Sequence, residues 1–446
     1  MLYAPEPSNK IYAKYLELKQ RGTPLWIPGS NRVRPLPHRR KGVCIGDVGV
    51  ITRAGAFSFM FNIFLPAGHP INPSELPDGF EPLEPPSISE IDQYTSFLPG
   101  NHLASSTITR VLNTDPSFRG MSFKTMSTEG AILIFPDGAI GTDFTNINRM
   151  SVYAKAHLAS WYRYAKGVRG RDVKNGELHL VTGCDKATSW GMAAVANVEA
   201  NRHTLEYYPS NVHDSDAHDA IPMYQWEYSG LAETRAGPDS EEIGALRQTD
   251  PESVFDEALI FSVITVGGNL CNQCLFVRTI NQIVNKDVFE TIEREIEAEM
   301  ETQVLQLRAE AKSRAMRSQA PLSGLSTSMQ KGSAGQQSSS GMAPADTLAP
   351  NVESLSSELE HLDLGRPAPE DHAIPKSETA SRSHPSDHLN KHLLELYPHC
   401  DAVITHDMDW CVVINEMKSC RDPKKSQSVF LRYMMSWKKT ASSIWS

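Results

Sequence analysis

The sequence predicts an α+β protein, built mostly from antiparallel strands with one packed helix. Several short segments alternate apolar and polar residues at the two-residue period of a half-buried strand. Connections of hairpin length that contain glycine join some of these segments, which favours antiparallel pairing. One segment, 148–166, instead repeats apolar residues at three- and four-residue spacing, as an amphipathic helix does.

Composition divides the chain into five segments. The 446 residues are 40% hydrophobic, enough for more than one domain, but one long stretch rich in serine, proline and glycine is too polar to bury a core. In chain order we expect an extended basic arm (1–41), a main α+β domain (42–285), a long charged helix (286–317), a disordered linker (318–386) and a small C-terminal module with an amphipathic tail (387–446).

The basic arm carries five arginines or lysines between Arg32 and Lys41, interleaved with prolines. Interleaved prolines favour a chain that wraps over the surface of the main domain. The same charges also suit contact with an acidic partner or a phosphate.

Residues 43–52 and 56–65 predict a hairpin, because two apolar runs are joined through a three-residue connection that ends in glycine. Phe57, Phe59 and Phe61 alternate along the second run and therefore share one face. We expect a buried aromatic ridge there rather than a ligand site.

The remaining elements of the main domain follow the same two periodicities. A helix is predicted over 148–166, capped by Asn146 or Asn148. Further strands are predicted at 131–135, at 204–208 with 224–231, and at 261–266 with 275–280.

Residues 177–198, ELHLVTGCDKATSWGMAAVANV, predict the central hairpin. An alternating strand reaches Gly183, where the polar cluster up to Ser189 has the composition of a turn. Trp190 then opens a strand of very small residues, so another backbone or a large side chain must approach closely, and Trp190 is expected to fill that space.

The expected turn supplies the catalytic candidates. Cys184, Asp185 and Lys186 place a thiol, a carboxylate and an amine together, and His179 or His157 could serve as the base. An unrecognised enzyme or a small-ligand binder would use these groups. Nucleotide-binding glycine loops, the GxSxG elbow and kinase signatures are absent from the sequence.

The segment HDSDAHD supplies the metal candidates, His213, Asp214, Asp216 and His218. Imidazoles and carboxylates bind divalent cations, but an ordinary solvated loop is favoured because no second ligand set is evident. Likewise, a single CxxC at Cys271 does not complete a zinc site. We therefore predict no cofactor, with a divalent metal as the alternative.

His406, Asp407 and Asp409 follow a predicted strand in the segment ITHDMDW. Carboxylates at such a position often hold a metal and a phosphate. The same residue types also form an ordinary turn, which we favour.

Charge and cysteine usage limit the class of protein. A formal net charge of −10 argues against general nucleic-acid binding, which needs a basic surface. The start lacks the pattern of a secretory signal, and the longest apolar run, 258–266, is too short to cross a bilayer. Seven cysteines, an odd number, fit reduced thiols, so we expect an intracellular protein, cytoplasmic or nuclear.

Five motifs, GVCIGDVGVI, FNIFLPAGHPINP, LVTGCDKATSWGMA, YQWEYSG and NQCLFVRTI, occur in this order. Together they resemble a family of uncharacterised proteins abundant in mushroom-forming fungi, the basidiomycetes. The resemblance covers roughly residues 20–285, with a further match in LYPHCDAVITHDMDW. It implies a fungal intracellular protein and carries no activity or site residue; Ser58 stands where that pattern has an acidic residue.

These observations favour a non-enzymatic interaction or regulatory protein that binds a protein partner, because catalytic signatures are absent and the layout is modular. Two alternatives remain. One is the enzyme or ligand binder that uses the TGCDKATSW turn. The other is reversible membrane association through residues 424–446, where an apolar helical face is flanked by lysine and arginine.

Overall fold

A computed structural model describes residues 6–113, 115, 117–125, 127–196, 204–210, 223–247, 264–318 and 384–411. The HDSDAHD segment, residues 319–383 of the expected linker and the tail 424–446 lie outside these described residues. The chain divides into two compact units, residues 1–303 with 382–446 and residues 304–381, and the sheets below belong to the first. Helices and antiparallel sheets together confirm the predicted α+β class.

The described helices are α1 (Ser8–Leu16), α2 (Leu36–Lys41), α3 (Ile147–Arg163), α4 (Ser240–Arg247), α5 (Lys286–Ser318) and α6 (Pro385–Leu396). The described strands are β1 (Thr23–Pro24), β2 (Asp47–Ile51), β3 (Phe57–Asn62), β4 (Ile91–Phe97), β5 (Asn101–Ala104), β6 (Ile108–Val111), β7 (Met121–Thr125), β8 (Glu129–Phe135), β9 (Ala139–Phe144), β10 (His179–Ala187), β11 (Trp190–Ala196), β12 (Thr204–Pro209), β13 (Tyr224–Tyr228), β14 (Ala232–Gly237), β15 (Thr265–Val266), β16 (Asn269–Leu270), β17 (Gln273–Val284) and β18 (Ala402–His406).

Three sheets organise the first unit. The largest, the central sheet, has eight strands in the order β1-β17-β10-β2-β3, with β18 added to β17, β9 to β10 and β4 to β9. Two four-stranded sheets, β14-β11-β8-β5 and β13-β12-β7-β6, share a core that includes Phe123, Ile134 and Tyr207. All pairings between named strands are antiparallel in the part of the chain described.

Helix α3 covers the central sheet and confirms the helix predicted over 148–166. Asn146 caps it, since its side chain accepts a hydrogen bond from the Arg149 backbone N–H. Its buried face packs into the main core, with Trp161 edge-on to Phe61 at 5.7 Å between ring centres. The helix ends at Arg163 and continues as a π-helical turn, Tyr164–Val168.

Strands β2 and β3 form the predicted hairpin, and Gly55 has the positive φ of 80° that its tight connection requires. A β-bulge shifts the register between Val48 and Gly49. Phe59 and Phe61 are buried as predicted, whereas Phe57 is only half-buried. Strand predictions at 131–135 and at 204–208 with 224–231 are confirmed by β8 and by the β12–β13 pair.

The predicted central hairpin is wrong. Residues expected to form its turn, Cys184 to Lys186, lie inside β10, and the chain turns only at Thr188 and Ser189, whose hydroxyls bond Asp137 at 3.0 and 2.5 Å. Strand β10 joins the central sheet and β11 joins a four-stranded sheet, so the two strands do not pair. The residue types in this segment indicate a turn. Their polar side chains are instead bonded inside the sheet by partners from distant segments, which the sequence alone does not reveal.

The small residues of β11 do admit a close neighbour, as predicted. A Cβ on Gly191 would lie 2.3 Å from Cε2 of Tyr207, which therefore fills the space. Trp190 instead packs against Gly237 of β14, where an added Cβ would lie 2.5 Å from Cζ2 of its ring. The filling residue is thus Tyr207 and not Trp190.

The predicted last strand pair is also different. Residues 265–266 pair with 269–270 in a two-stranded ribbon, and 251–263 lie outside the described residues. Strand β17 is longer than predicted and is buried over its whole length between β10 on one side and β1 and β18 on the other.

The two ends of the described chain belong to the central fold. The prediction of an extended arm over 1–41 is corrected, because α1 buries Ile11, Tyr12 and Leu16, β1 pairs with β17, and residues 36–41 form α2. Strand β18 also pairs with β17, so the described part of the C-terminal module docks on the central sheet. Apolar contacts override the proline-rich, basic composition of the arm.

The charged helix predicted over 286–317 is α5, and its first turns contact the main core through Ile292 and Ile296. Among the helices of the described residues, none is both long enough and apolar enough to cross a membrane.

Candidate functional site

The three catalytic candidates of β10 do not converge. Because side chains alternate along a strand, Asp185 faces away from Cys184 and Lys186. The Asp185 carboxylate is fully buried and accepts hydrogen bonds from Nε and Nη2 of Arg21, both at 2.8 Å. Arg278 at 3.2 Å and Ser96 at 2.9 Å complete its shell. Asp185 is therefore an ion-pair residue of the sheet and has no free lone pair aimed at a cavity.

Lys186 and Cys184 are buried on the other face. Nζ of Lys186 donates to the Lys41 carbonyl at 2.6 Å and lies 3.8 Å from Sγ of Cys44. The Cys184 thiol donates to the Val43 carbonyl at 3.8 Å. Burial raises the pKa of Cys44 to about 12, so this thiol stays protonated at neutral pH. These groups join the segment before β2 to the central sheet.

The proposed bases are also occupied elsewhere. Nδ1 of His179 lies 2.7 Å from Oδ1 of Asn281, while His157 packs on Tyr153 with ring centres 4.4 Å apart. Burial, and after it the neighbouring His384, lower the pKa of His179 to about 4, so His179 is neutral at pH 7. The structure brings neither histidine to Cys184.

The ITHDMDW segment forms a second buried cluster. The fully buried carboxylate of Asp407 accepts from the Thr279 N–H at 2.9 Å, Nδ2 of Asn281 at 2.6 Å and Nε1 of Trp410 at 3.2 Å. Asp409 accepts from the His406 N–H at 2.8 Å. Their hydrogen bonds fix the C-terminal segment on β17.

The metal candidates His213, Asp214, Asp216 and His218 lie outside the described residues, so the structure does not place them. Cys271 and Cys274 are buried free thiols. Within the described ranges, three or more His, Cys, Asp or Glu side chains nowhere gather closely enough to hold a metal ion.

A cavity of about 610 Å³ lies elsewhere, against the segment that precedes α2. This size falls within the roughly 300–1,000 Å³ typical of small-molecule sites. Six parts of the chain contribute to its wall: residues 25–43, the β2–β3 hairpin, Arg171, Trp190 of β11, residues 235–242 and Gln273 of β17. Its apolar lining includes Leu25, Val43, Phe57 and Trp190. We call this space the arginine cavity, after Arg34, Arg171 and Arg235 in its wall.

Arg34 is held by Phe59. Its guanidinium donates to the Phe59 carbonyl and lies 5.1 Å from the centre of the Phe59 ring. Burial lowers the pKa of Arg34, and the positive charges of Arg169 and Arg171 lower it further. Arg34 therefore lies near two other positive charges, with Asp47 as an opposing negative charge among the described residues.

Arg171 supplies the second guanidinium of this group. Within the described ranges its side chain makes no hydrogen bond or ion pair. A cation that borders a cavity in this way is available to a ligand.

Arg235, in β14, is held by different side chains from those that hold Arg34. Its Nη1 donates to the Trp26 carbonyl at 2.8 Å, and its guanidinium lies 5.6 Å from the Trp26 ring centre and 6.0 Å from that of Trp190. Burial lowers the pKa of Arg235, against a smaller opposite effect of Glu233. Trp190 is itself fixed by a 3.1 Å hydrogen bond from Nε1 to Oε1 of Gln273.

The carboxylates of the cavity wall are already paired. Asp239 lies 2.5 Å from Nη2 of Arg32, and Glu242 lies 2.7 Å from Nη2 of Arg39. These pairs leave Arg34, Arg171 and Arg235 without a carboxylate partner among the described residues.

Two further polar groups of the wall lack hydrogen bonds. His38 is 3% exposed, and neither ring nitrogen has a hydrogen-bond partner within the described residues; its closest carboxylate oxygen, Oδ2 of Asp47, is 3.7 Å from Nε2. The buried hydroxyl of Ser30 is also unpaired within that part of the chain. Because a buried polar group without a partner costs about 1–3 kcal/mol, such groups beside a cavity indicate a missing ligand.

Sequence reasoning missed this site because its residues come from distant segments. Arg34 lies in the predicted basic arm, for which contact with a phosphate is one interpretation. Phe57 and Phe59 of the predicted aromatic ridge also line the wall. No local pattern marks Arg171 or Arg235. Ser58, singled out by the family resemblance, also lines the cavity.

Comparison with known proteins adds no assignment. No protein-family model matches the chain, and no curated protein matches it at a significant level.

Proposed function

We propose that this chain is a non-enzymatic binding protein that recognises an anionic small molecule in the arginine cavity. The observation that carries this proposal is the charge imbalance: three guanidinium groups, those of the half-buried Arg34 and Arg235 and of the exposed Arg171, border one space without a carboxylate partner among the described residues. Folding has already removed Arg34 and Arg235 from part of their water, so an anion that enters gains charge-assisted hydrogen bonds at a reduced desolvation cost.

The unpaired groups of His38 and Ser30 support the same proposal. Both are buried in the cavity wall, and an oxyanion accepts hydrogen bonds from groups of this kind. The enzyme alternative has less support, because the Cys184, Asp185 and Lys186 groups are bonded within the sheet and do not border the cavity.

Regulation of a protein partner by this ligand remains part of the proposal. The site is built on α2 and α4, whose charged side chains meet through the Arg39–Glu242 pair. A ligand that contacts both helix regions stabilises one arrangement of that surface, which is how a small anion can change partner affinity. The free cysteines of the described chain support an intracellular location, cytoplasmic or nuclear.

Isothermal titration of the full chain with inorganic phosphate and with citrate tests the proposal. We expect saturable binding at one site, and we expect Arg171→Gln to weaken it about 10- to 100-fold, since a hydrogen bond to a charged group contributes roughly 1.5–3 kcal/mol. Arg171 makes no hydrogen bond through its side chain within the described residues, so this variant keeps the fold.

Arg53→Gln is the matched control. Arg53 is exposed in the β2–β3 connection and does not line the cavity, so this substitution removes the same charge outside the proposed site. Equal loss of affinity in the two variants, or no saturable binding by the wild-type chain, would show that the cavity is not an anion site.

A further inference from the structure

We propose that the ligand carries two anionic groups, one at each end of an apolar body. This inference rests on the proposed function and goes further by naming the class of ligand. It follows from three features of the arginine cavity: two separately anchored cationic ends, an apolar and aromatic wall, and a volume of about 610 Å³ that a single inorganic anion does not fill.

The first cationic end contains Arg34 and Arg171, and His38 packs on the same phenylalanine as Arg34. Phe59 fixes both Arg34 and His38, since the Arg34 guanidinium lies over the Phe59 ring and the His38 ring centre lies 4.4 Å from it. Arg171 adds a second guanidinium to the same cavity wall, and its charge lowers the pKa of Arg34. Two guanidinium groups that reach one carboxylate or phosphate bind it better than either alone.

The second cationic end is Arg235, which rests on other side chains. Trp26 and Trp190 support its guanidinium, and Trp26 also accepts its hydrogen bond. Among the described residues, Glu233 is the charged group that changes the pKa of Arg235, whereas Arg169 and Arg171 act on Arg34. Because Arg235 is anchored on Trp26 and Arg34 on Phe59, we assign a separate anionic group to each end.

The wall suits an organic body. Leu25, Val43 and Trp190 are each at most 5% exposed, and Phe57 adds an aromatic surface that is only half-buried. Apolar lining of this kind gains free energy when a hydrocarbon displaces water, at roughly 25 cal/mol per Å². An inorganic ion would leave that lining wet.

Arg235 separates this proposal from simple anion binding. Together with Ile27 it also borders a neighbouring, more open cavity of about 640 Å³, so Arg235 belongs to the walls of both spaces. We assign the second anionic group of the ligand to this arginine.

A chain-length series tests the inference on the full protein. Isothermal titration with α,ω-dicarboxylates from succinate to sebacate, each compared with the monocarboxylate of equal length, should show one length at which the dicarboxylate binds about 10- to 100-fold more tightly. Phosphonocarboxylates of the same lengths form a parallel series. Tighter binding there identifies phosphate as one of the two anionic groups.

Variants assign the two ends. Arg235→Gln should remove the advantage of the dicarboxylate over the monocarboxylate of equal length, whereas Arg171→Gln should weaken both ligands by similar factors. Arg235→Lys keeps the charge and should retain part of the advantage. Arg53→Gln serves as the charge-matched control, and thermal unfolding verifies that each variant is folded.

The outcomes are distinguishable. If monocarboxylates bind through Arg171 but no dicarboxylate of any length exceeds them, or if Arg235→Gln leaves the advantage intact, the two-anion inference is wrong and the proposed function stands. If neither series binds, both are wrong.

Discussion

Two groups of arginines differ in one respect, the presence of carboxylate partners among the described residues. In the first group, which we call the paired network, Arg21 and Arg278 share the buried Asp185, and Arg278 also pairs with Asp143. In the arginine cavity, Arg34, Arg171 and Arg235 have no carboxylate partner among the described residues. Arginines of the first group are therefore part of the ion pairs that hold the fold together, whereas those of the second group are free of carboxylates among the described residues.

The difference follows from the cost of burying charge. A buried ion persists when hydrogen bonds and an opposite charge replace its water. Asp185 obtains four such contacts from Arg21, Arg278 and Ser96, and the paired network holds the N-terminal segment on the central sheet. Among the described residues, the arginines of the cavity lack this compensation, and we propose that a ligand supplies it.

The largest expected effect is in the paired network. Asp185→Asn removes the charge that offsets Arg21 and Arg278, and leaving a buried charge uncompensated costs about 3–5 kcal/mol. We expect the free energy of unfolding in urea to fall by this amount. The control is Asp239→Asn, whose half-exposed pair with Arg32 should change stability by about 0–1 kcal/mol. Similar losses in the two variants would remove the distinction between buried pairs and surface pairs.

The next effect concerns pH. His179, beside the Asp407 cluster, has its pKa lowered to about 4 by burial, so the folded protein takes up this proton only below that pH. The unfolded chain takes it up near the ordinary histidine pKa of about 6.5. The contribution of His179 to the free energy of unfolding should therefore be fully present above about pH 6.5. It should fall as the pH drops toward 4, by on the order of 2–3 kcal/mol.

Urea unfolding across this pH range measures the effect, and His179→Gln should reduce the slope. His399→Gln is the control because His399 is exposed. An unchanged slope in His179→Gln would show that this histidine does not titrate as its burial requires.

The smallest effect is in the arginine cavity. Arg171→Gln removes a charge that opposes Arg34, so without ligand the free energy of unfolding should stay the same or rise by up to about 1 kcal/mol. Urea unfolding in low-phosphate buffer checks this. A loss above that size would mean that Arg171 is a structural partner like Arg21, and the contrast between the two groups would be lost.

The sequence predicted what depends on local pattern. Helix α3, the β2–β3 hairpin and the small-residue strand that receives Tyr207 follow from periodicity, turn chemistry and side-chain size. The central hairpin failed because Cys184 to Lys186 look like a turn until Arg21 and Arg278 are known to surround Asp185. Buried polar strands of this kind depend on long-range partners, which no local window contains.

The candidate site was less predictable than the fold. Arg34 and Arg171 are separated by more than a hundred residues, and only packing brings both to one cavity. Contact of the basic arm with a phosphate stays a prediction, and the other arginines of the cavity, Arg171 and Arg235, stand in segments without any distinctive pattern. Charge imbalance becomes visible only when every carboxylate has been assigned to a cation.

The most direct test of an anion in the arginine cavity is anomalous diffraction from crystals of the full chain soaked in tungstate, a tetrahedral dianion. Our account predicts a tungsten peak between Arg34 and Arg171, placed so that the tungstate oxygens accept hydrogen bonds from their guanidinium groups. The peak should be lost in Arg171→Gln crystals soaked in the same way. A cavity without tungstate, or a carboxylate of the chain itself bound to both arginines, would contradict it.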